Sequence, residues 1–180
     1  MTPMFPRRIE LPLPRYALRP WAWTDKDALI RHANNRSVSR ALFDRFPFPY
    51  TTEAAERWLA IATSEGRDIH CTITCEDEAI GGISAMRGSE NARFCAEIGY
   101  WIGESQWGRG VMTTTVRAFC EALFAHTDIE RIEAGAFVTN PASHRVLEKA
   151  GFAREGLLRR KYFKDGEFID DAVYALLRPR

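Results

Sequence analysis

The chain has 180 residues, of which 46% are hydrophobic and 12% aromatic, enough for one domain with a proper core. Lys plus Arg total 25 against 24 for Asp plus Glu, and the resulting net charge of +1 lacks the footprint of a nucleic-acid binder. No apolar run approaches the roughly 18 residues of a membrane span and the N-terminus has no apolar h-region, so neither nucleic acid nor membrane is an expected partner and the cytoplasm is the default location.

Residues 1–14 carry prolines at 3, 6, 12 and 14 and are expected to be an extended leader, with a single domain over 15–177. Tyr16 to Arg19 reads as a first strand stopped by Pro20. Thr24 is the expected N-cap of a helix with Ala28, Leu29 and Ala33 on one face, ended by Asn34-Asn35. Phe46-Pro47-Phe48-Pro49-Tyr50-Thr51 cannot be helical, because each proline pushes its predecessor into extended geometry. Thr52 then caps a second helix whose Ala55, Trp58, Leu59 and Ala62 share a face. Ile69 to Cys75 and Ala79 to Met86 read as strands joined at Glu76-Asp77-Glu78, with Gly81-Gly82 marking a bulge or a close backbone approach.

Phe94 to Ile102 is apolar except for Glu97, as in a strand covered on both faces. Its alternation puts Glu97, Gly99 and Trp101 on one side and Ala96, Ile98 and Tyr100 on the other. Trp107-Gly108-Arg109-Gly110 leads into a helix with Met112, Val116, Phe119, Cys120, Leu123 and Phe124 at steps of three and four. Two glycines before a helix make either a tight connection or an anion site on the unpaired N–H groups of the first turn. Arg131 to Val138 is the next strand. Asn140 as N-cap, Pro141 at the first helical position and Gly151 past the end then delimit a ten-residue helix. Phe152 to Phe163 and Glu167 to Leu177 form a hairpin through Lys164-Asp165-Gly166. The order β-αα-βββ-α-β-α-ββ is α plus β with about seven strands. Cys71, Cys75, Cys95 and Cys120 lack metal-ligand spacing and read as reduced core residues, and the four histidines form no cluster, so no metal is expected.

The W-G-R-G turn, together with N-P-A-S-H-R-V-L-E-K-A-G-F at 140–152, resembles the GNAT N-acetyltransferase superfamily and within it the RimJ/RimL-like branch. The superfamily's pyrophosphate motif, (Arg or Gln)-x-x-Gly-x-(Gly or Ala), falls on Trp107, Gly110 and Met112, and only Gly110 fits the strict pattern. The second motif is the more specific, and the resemblance covers about residues 15–177. Two other classes compete: a non-catalytic acyl-CoA-binding relative, against which the retained Glu97 and Ser143 argue, and a dinucleotide oxidoreductase built on Gly108-x-Gly110, which lacks the third glycine and the βαβ setting.

The resemblance implies a three-layer fold with helices on both faces of a mixed, mostly antiparallel sheet. It implies acetyl-CoA as acyl donor, an amine acceptor (a protein N-terminus or a small molecule) and a monomer or homodimer. It places Glu97 as general base, Ser143 near the thioester sulfur as acid, and the backbone N–H of Trp101 as oxyanion donor. Trp101, Ile102, Trp107, Gly108, Arg109, Gly110, Val111, Met112, Thr113, Asn140 and Ser143 would hold the donor, and Phe48, Tyr50 and Tyr162 the acceptor. Several of these residues also have plain structural readings. Glu97 could satisfy a nearby donor, Ser143 and Asn140 could simply cap a helix, and the loop aromatics could bury under the helices. Tyr100 and Tyr162 are alternative acids. Arg159-Arg160-Lys161 fits a charged outer strand face or an anion site. Base catalysis matters most for lysine acceptors, since an amine of pKa about 10.4 is far less often neutral at pH 7 than an α-amine of pKa about 8.

Overall fold

Alternating apolar strands and one-sided helices assemble, in a computed structural model that describes residues 5–180, into a sheet covered on both faces. The strands are β1 (Ile9–Glu10), β2 (Tyr16–Pro20), β3 (Ile69–Cys75), β4 (Glu78–Arg87), β5 (Cys95–Ile102), β6 (Arg131–Phe137), β7 (Ala153–Lys164) and β8 (Glu167–Leu177). Their spatial order is β1-β2-β3-β4-β5-β6-β8-β7, and every pairing is antiparallel except β5 with β6. The helices are α1 (Lys26–Ala33), α2 (Arg36–Ser39), α3 (Thr52–Ala62), α4 (Val111–His126) and α5 (Pro141–Lys149).

The two strand faces bury different helices. Val111, Val116, Phe119 and Leu123 of α4 and Leu147 of α5 close over Ile73, Ile83, Ile98 and Ile132. On the opposite face Leu29 and Ala33 of α1 and Ala55 and Leu59 of α3 pack with Trp21, Ala79 and Trp101. The three-layer, mostly antiparallel architecture is therefore as expected, and β5 alternates as read, with Ala96 and Ile98 buried and Glu97 and Gly99 exposed.

The eighth strand is β1, which pairs Ile9 with Leu18 inside the stretch expected to be a leader. Residues 1–4 of that stretch lie outside the described residues. The rest is anchored, with Leu11 buried and the Phe5 ring 5.8 Å from Phe119. Helix starts differ by small steps. Thr24 caps nothing, since a 3-10 turn over Trp23–Asp25 precedes α1 and the buried Asp25 carboxylate accepts from Ala22 N–H (2.9 Å) and from both Arg19 terminal nitrogens (2.8 and 2.7 Å). Thr51, not Thr52, caps α3 by accepting from Ala54 N–H. α2 has too few residues for an apolar period, and it exists because Asn35 Oδ1 accepts from Ser37 and Val38 N–H.

Gly81 and Gly82 do both things expected of them. β3 and β4 slip by one residue between Ile73 and Thr74. A Cβ on Gly81 would also stand 2.5 Å from Trp101 O, so only glycine lets β4 approach β5 there.

Candidate active site

Beyond Glu97 the two central strands part. β5 pairs with β6 only from Cys95↔Arg131 to Glu97↔Glu133, after which β6 continues along β8 alone. The backbone phase of β5 decides what faces this gap. Gly103 N–H donates to Ile80 O and Gly88 N–H to Cys95 O, each at 2.9 Å, and the β4 ladder between them has no bulge. Odd-numbered residues of β5 therefore turn their backbone groups to β4 and even-numbered ones to the gap. Two contacts on the other side agree: Phe94 O accepts from Glu130 N–H (2.8 Å), and Ile102 O accepts from Trp107 Nε1 (2.9 Å). The expected donor, Trp101 N–H, thus faces β4 opposite Gly82, and the N–H groups that open on the gap are those of Tyr100 and Ile102. Side-chain alternation alone does not reveal this, because it leaves open which edge of the strand is paired.

Two cavities meet at the gap. One, of about 610 Å³, runs between the N-termini of α4 and α5; the other, of about 530 Å³, lies under α3 and the 41–50 loop. They share Ala41, Leu42, Tyr100, Trp101, Asn140 and Ser143, so a group bound in one can touch a group bound in the other at those residues.

The first cavity suits an elongated phosphate-bearing ligand. Gly108 (φ 74°) and Gly110 (φ 77°) take left-handed geometry, and Gly110 caps α4 with no side-chain acceptor and no acidic residue in its first turn. The first internal helix bond is Thr114 N–H to Gly110 O (3.2 Å), which leaves the N–H groups of Val111, Met112 and Thr113 without helical partners. A Cβ on either glycine would meet nothing within 4 Å, so ligand oxygens can reach these amides, and the helix dipole favours an anion there. Ile102, Trp107, Gly108, Gly110, Val111, Met112 and Thr113 all line this cavity, whereas Arg109 does not. Ser37, Val38 and Arg40–Leu42 also line it, and they come from a segment with no sequence signal beyond the Asn35 cap.

At the junction Asn140 Oδ1 accepts from Ser143 N–H (3.2 Å), which caps α5, and the Ser143 hydroxyl lies 2.8 Å from Tyr100 OH. The two residues weighed separately as proton donors are thus one hydrogen-bonded pair. Burial pushes the Tyr100 phenol well above its usual pKa, so this pair stays protonated. Next along α5, His144 bonds Tyr174 OH (2.9 Å) and Phe137 O (3.1 Å), which fixes the helix N-terminus against β6 and β8.

The second cavity holds Glu97 at the apex of the fork. Its carboxylate is exposed and makes no hydrogen bond or ion pair among the described residues. Around it lie His70, whose Nδ1 is 2.9 Å from Ser84 Oγ, and the rings of Phe46, Tyr50, Trp58, Trp101 and Phe137. Burial lowers the His70 pKa and pushes the Tyr50 phenol up to about 12. Of the three residues expected to meet an acceptor, only Tyr50 lines this cavity. Phe48 is 46% exposed beneath the Arg36 guanidinium, because Pro47 and Pro49 turn it outward while Phe46 and Tyr50 turn in. Tyr162 is half-buried, packed on Phe43 (4.9 Å) and Phe137 (5.4 Å), and is not among the residues that line this cavity.

Comparison with known proteins fits this geometry. The family model described as "Acetyltransferase (GNAT) domain" matches residues 15–153. The uncharacterized N-acetyltransferase p20 of Bacillus licheniformis is 30% identical over 169 residues, 91% of this chain and 93% of that protein. The ribosomal-protein-serine acetyltransferase of Escherichia coli (strain K12) is 35% identical over 100 residues, 56% of this chain and 55% of its own length. Most of the curated relatives likewise match over about half of their own length. Among solved structures, Mycobacterium smegmatis RimJ in complex with CoA-disulfide superimposes with a TM-score of 0.84 at 26% identity, covering 98% of this chain and 90% of that one.

Proposed function

Because this chain belongs to the GNAT acetyltransferase family, we propose that it moves the acetyl group of acetyl-CoA directly to a primary amine, with the donor in the first cavity and the amine in the second. The observation that carries this reading is the fork itself, which opens backbone donors and a protonated hydroxyl pair at the one place where both cavities meet.

Acetyl-CoA supplies a thioester and a diphosphate, and the amides of residues 110–113 with Thr113 Oγ1 are suited to the diphosphate. Glu97 accepts a proton from the acceptor ammonium, leaving a neutral amine whose lone pair bonds to the acyl carbon as the carbon–sulfur bond breaks. The N–H groups of Tyr100 and Ile102 face the charge that develops on the acyl oxygen, and they are held in place by the β4 ladder before the reaction begins. The Tyr100–Ser143 pair can pass a proton to the departing sulfur and regain one from the newly acylated nitrogen, so that CoA leaves as the thiol, the product is a neutral amide and the proton on Glu97 goes to solvent. A thiol of pKa about 8.5 leaves fairly well unaided, so this help is useful and not essential.

The relatives named for ribosomal proteins favour a protein N-terminal α-amine as acceptor. The small volume and aromatic walls of the second cavity favour a small amine as the second reading. Release of free CoA, measured with a panel of N-terminal peptides, polyamines and amino sugars, decides between them. Absence of turnover with every amine, despite binding of acetyl-CoA, would overturn the enzyme reading.

A further inference from the structure

One buried carboxylate in the second cavity has no part in the steps above. Asp171 is 1% exposed, sits on β8 opposite Phe137 of β6, and lines the wall across the gap from Glu97. The fold makes room for it twice. Gly135 of β6 has no side chain to block it, and a Cβ there would stand 2.9 and 3.0 Å from the two carboxylate oxygens. On the edge strand, β7 bulges between Leu158 and Tyr162, and this swings Lys161 round so that its Nζ lies 2.9 Å from Oδ2.

Only one oxygen is used in this way. Oδ1 has no hydrogen-bond partner among the described residues, and Asp171 borders the second cavity, where a ligand donor can complete the carboxylate. Gly99 and Gly135 lie one pleat beyond the Glu97↔Glu133 pair, on the two sides of the fork, and both are exposed. The space between the two carboxylates is therefore free of side chains on the sheet floor.

On the acetyltransferase reading, on which this inference rests, we propose that Asp171 determines acceptor specificity by binding a second N–H donor of the acceptor, an ammonium or an amide, while the reacting amine lies toward Glu97. The preferred acceptor then carries two nitrogen donors. Asp171→Asn keeps the shape, but Lys161 would hold the amide oxygen and leave an NH₂ facing the cavity, where it repels an N–H donor. Gly135→Ala should displace the carboxylate without changing its charge.

The test compares kcat/KM for 1,4-diaminobutane with butylamine and for alaninamide with alanine methyl ester, pairs that differ in the second donor. The wild-type protein should favour the donor-bearing member of at least one pair by about ten- to a hundredfold, the worth of a charge-assisted hydrogen bond. Whichever pair shows it identifies the donor as ammonium or amide. Both variants should lose most of that preference with the KM for acetyl-CoA unchanged, which a merely structural role would not do. No preference in the wild-type protein, or a preference that survives in both variants, overturns the proposal while leaving the acetyltransferase reading intact. No turnover of any of the four amines, nor of any amine in the wider panel, with acetyl-CoA still bound in calorimetry, would sink that reading and this proposal with it.

Discussion

Glu97 is exposed at the fork and unpaired among the described residues, which supports the proposed base role over a structural one. Glu97→Gln should lower kcat/KM about a hundredfold near neutral pH, within the usual range for a general base. The deficit should shrink as pH rises and the acceptor becomes neutral without help. A pH profile with the wild-type shape and height would remove Glu97 from the mechanism. Ser143 differs, because Tyr100 OH lies 2.8 Å from its hydroxyl and can serve in its place. Ser143→Ala should therefore retain activity, reduced about tenfold, and its effect should be non-additive with Tyr100→Phe in a double-mutant cycle. Complete loss in Ser143→Ala with the fold intact would contradict the shared-pair reading. The cysteines stay apart from this chemistry: burial pushes the Cys71 and Cys120 thiols up to about 12, so neither is a ready thiolate.

The recurring device among the elements is a helix start that serves two purposes. Asn140 caps α5 and at the same time borders both cavities, and His144 ties the same turn to β6 and β8. Asn140→Ala should cost about 1 kcal/mol, a few degrees of melting temperature for a domain of this size, because Ser143 N–H loses its acceptor. It should also weaken acetyl-CoA binding, whereas a residue that only capped a helix would leave calorimetric affinity unchanged. The β7–β8 hairpin works at longer range. Asp165 and Gly166 both take positive φ, as the Asp-Gly turn requires. Its tip is then pinned to the segment over the cavities by Lys164 to Asp44 (2.8 Å) and Asp165 to Arg36 (2.9 Å).

For the molecule as a whole, two helical layers pack on opposite faces of one sheet, and the β5–β6 fork opens between strands at its centre. Acetyl-CoA at a hundred times its dissociation constant should add about 2.7 kcal/mol of stability and raise the melting temperature by about 5–10 °C, while NAD should leave it unchanged. Equal shifts would favour a dinucleotide site. Among the described residues no helix is long and apolar enough to cross a membrane.

What the chain settles by itself is local. The Asn140–Pro141–Gly151 brackets, the Asp165-Gly166 turn, the face alternation of β5 and the two glycines ahead of α4 follow from backbone preferences and repeat lengths that act over a few residues. What only the assembled fold decided is which strand edge is paired, and where pairing stops. That choice turned Trp101 N–H to β4, packed Tyr162 on Phe43 and Phe137, joined Tyr100 to Ser143, and left Asp171 with one oxygen unused. Periodicity records the direction of side chains but not the neighbour each backbone edge will find, and that neighbour comes from the packing of segments far apart in the chain.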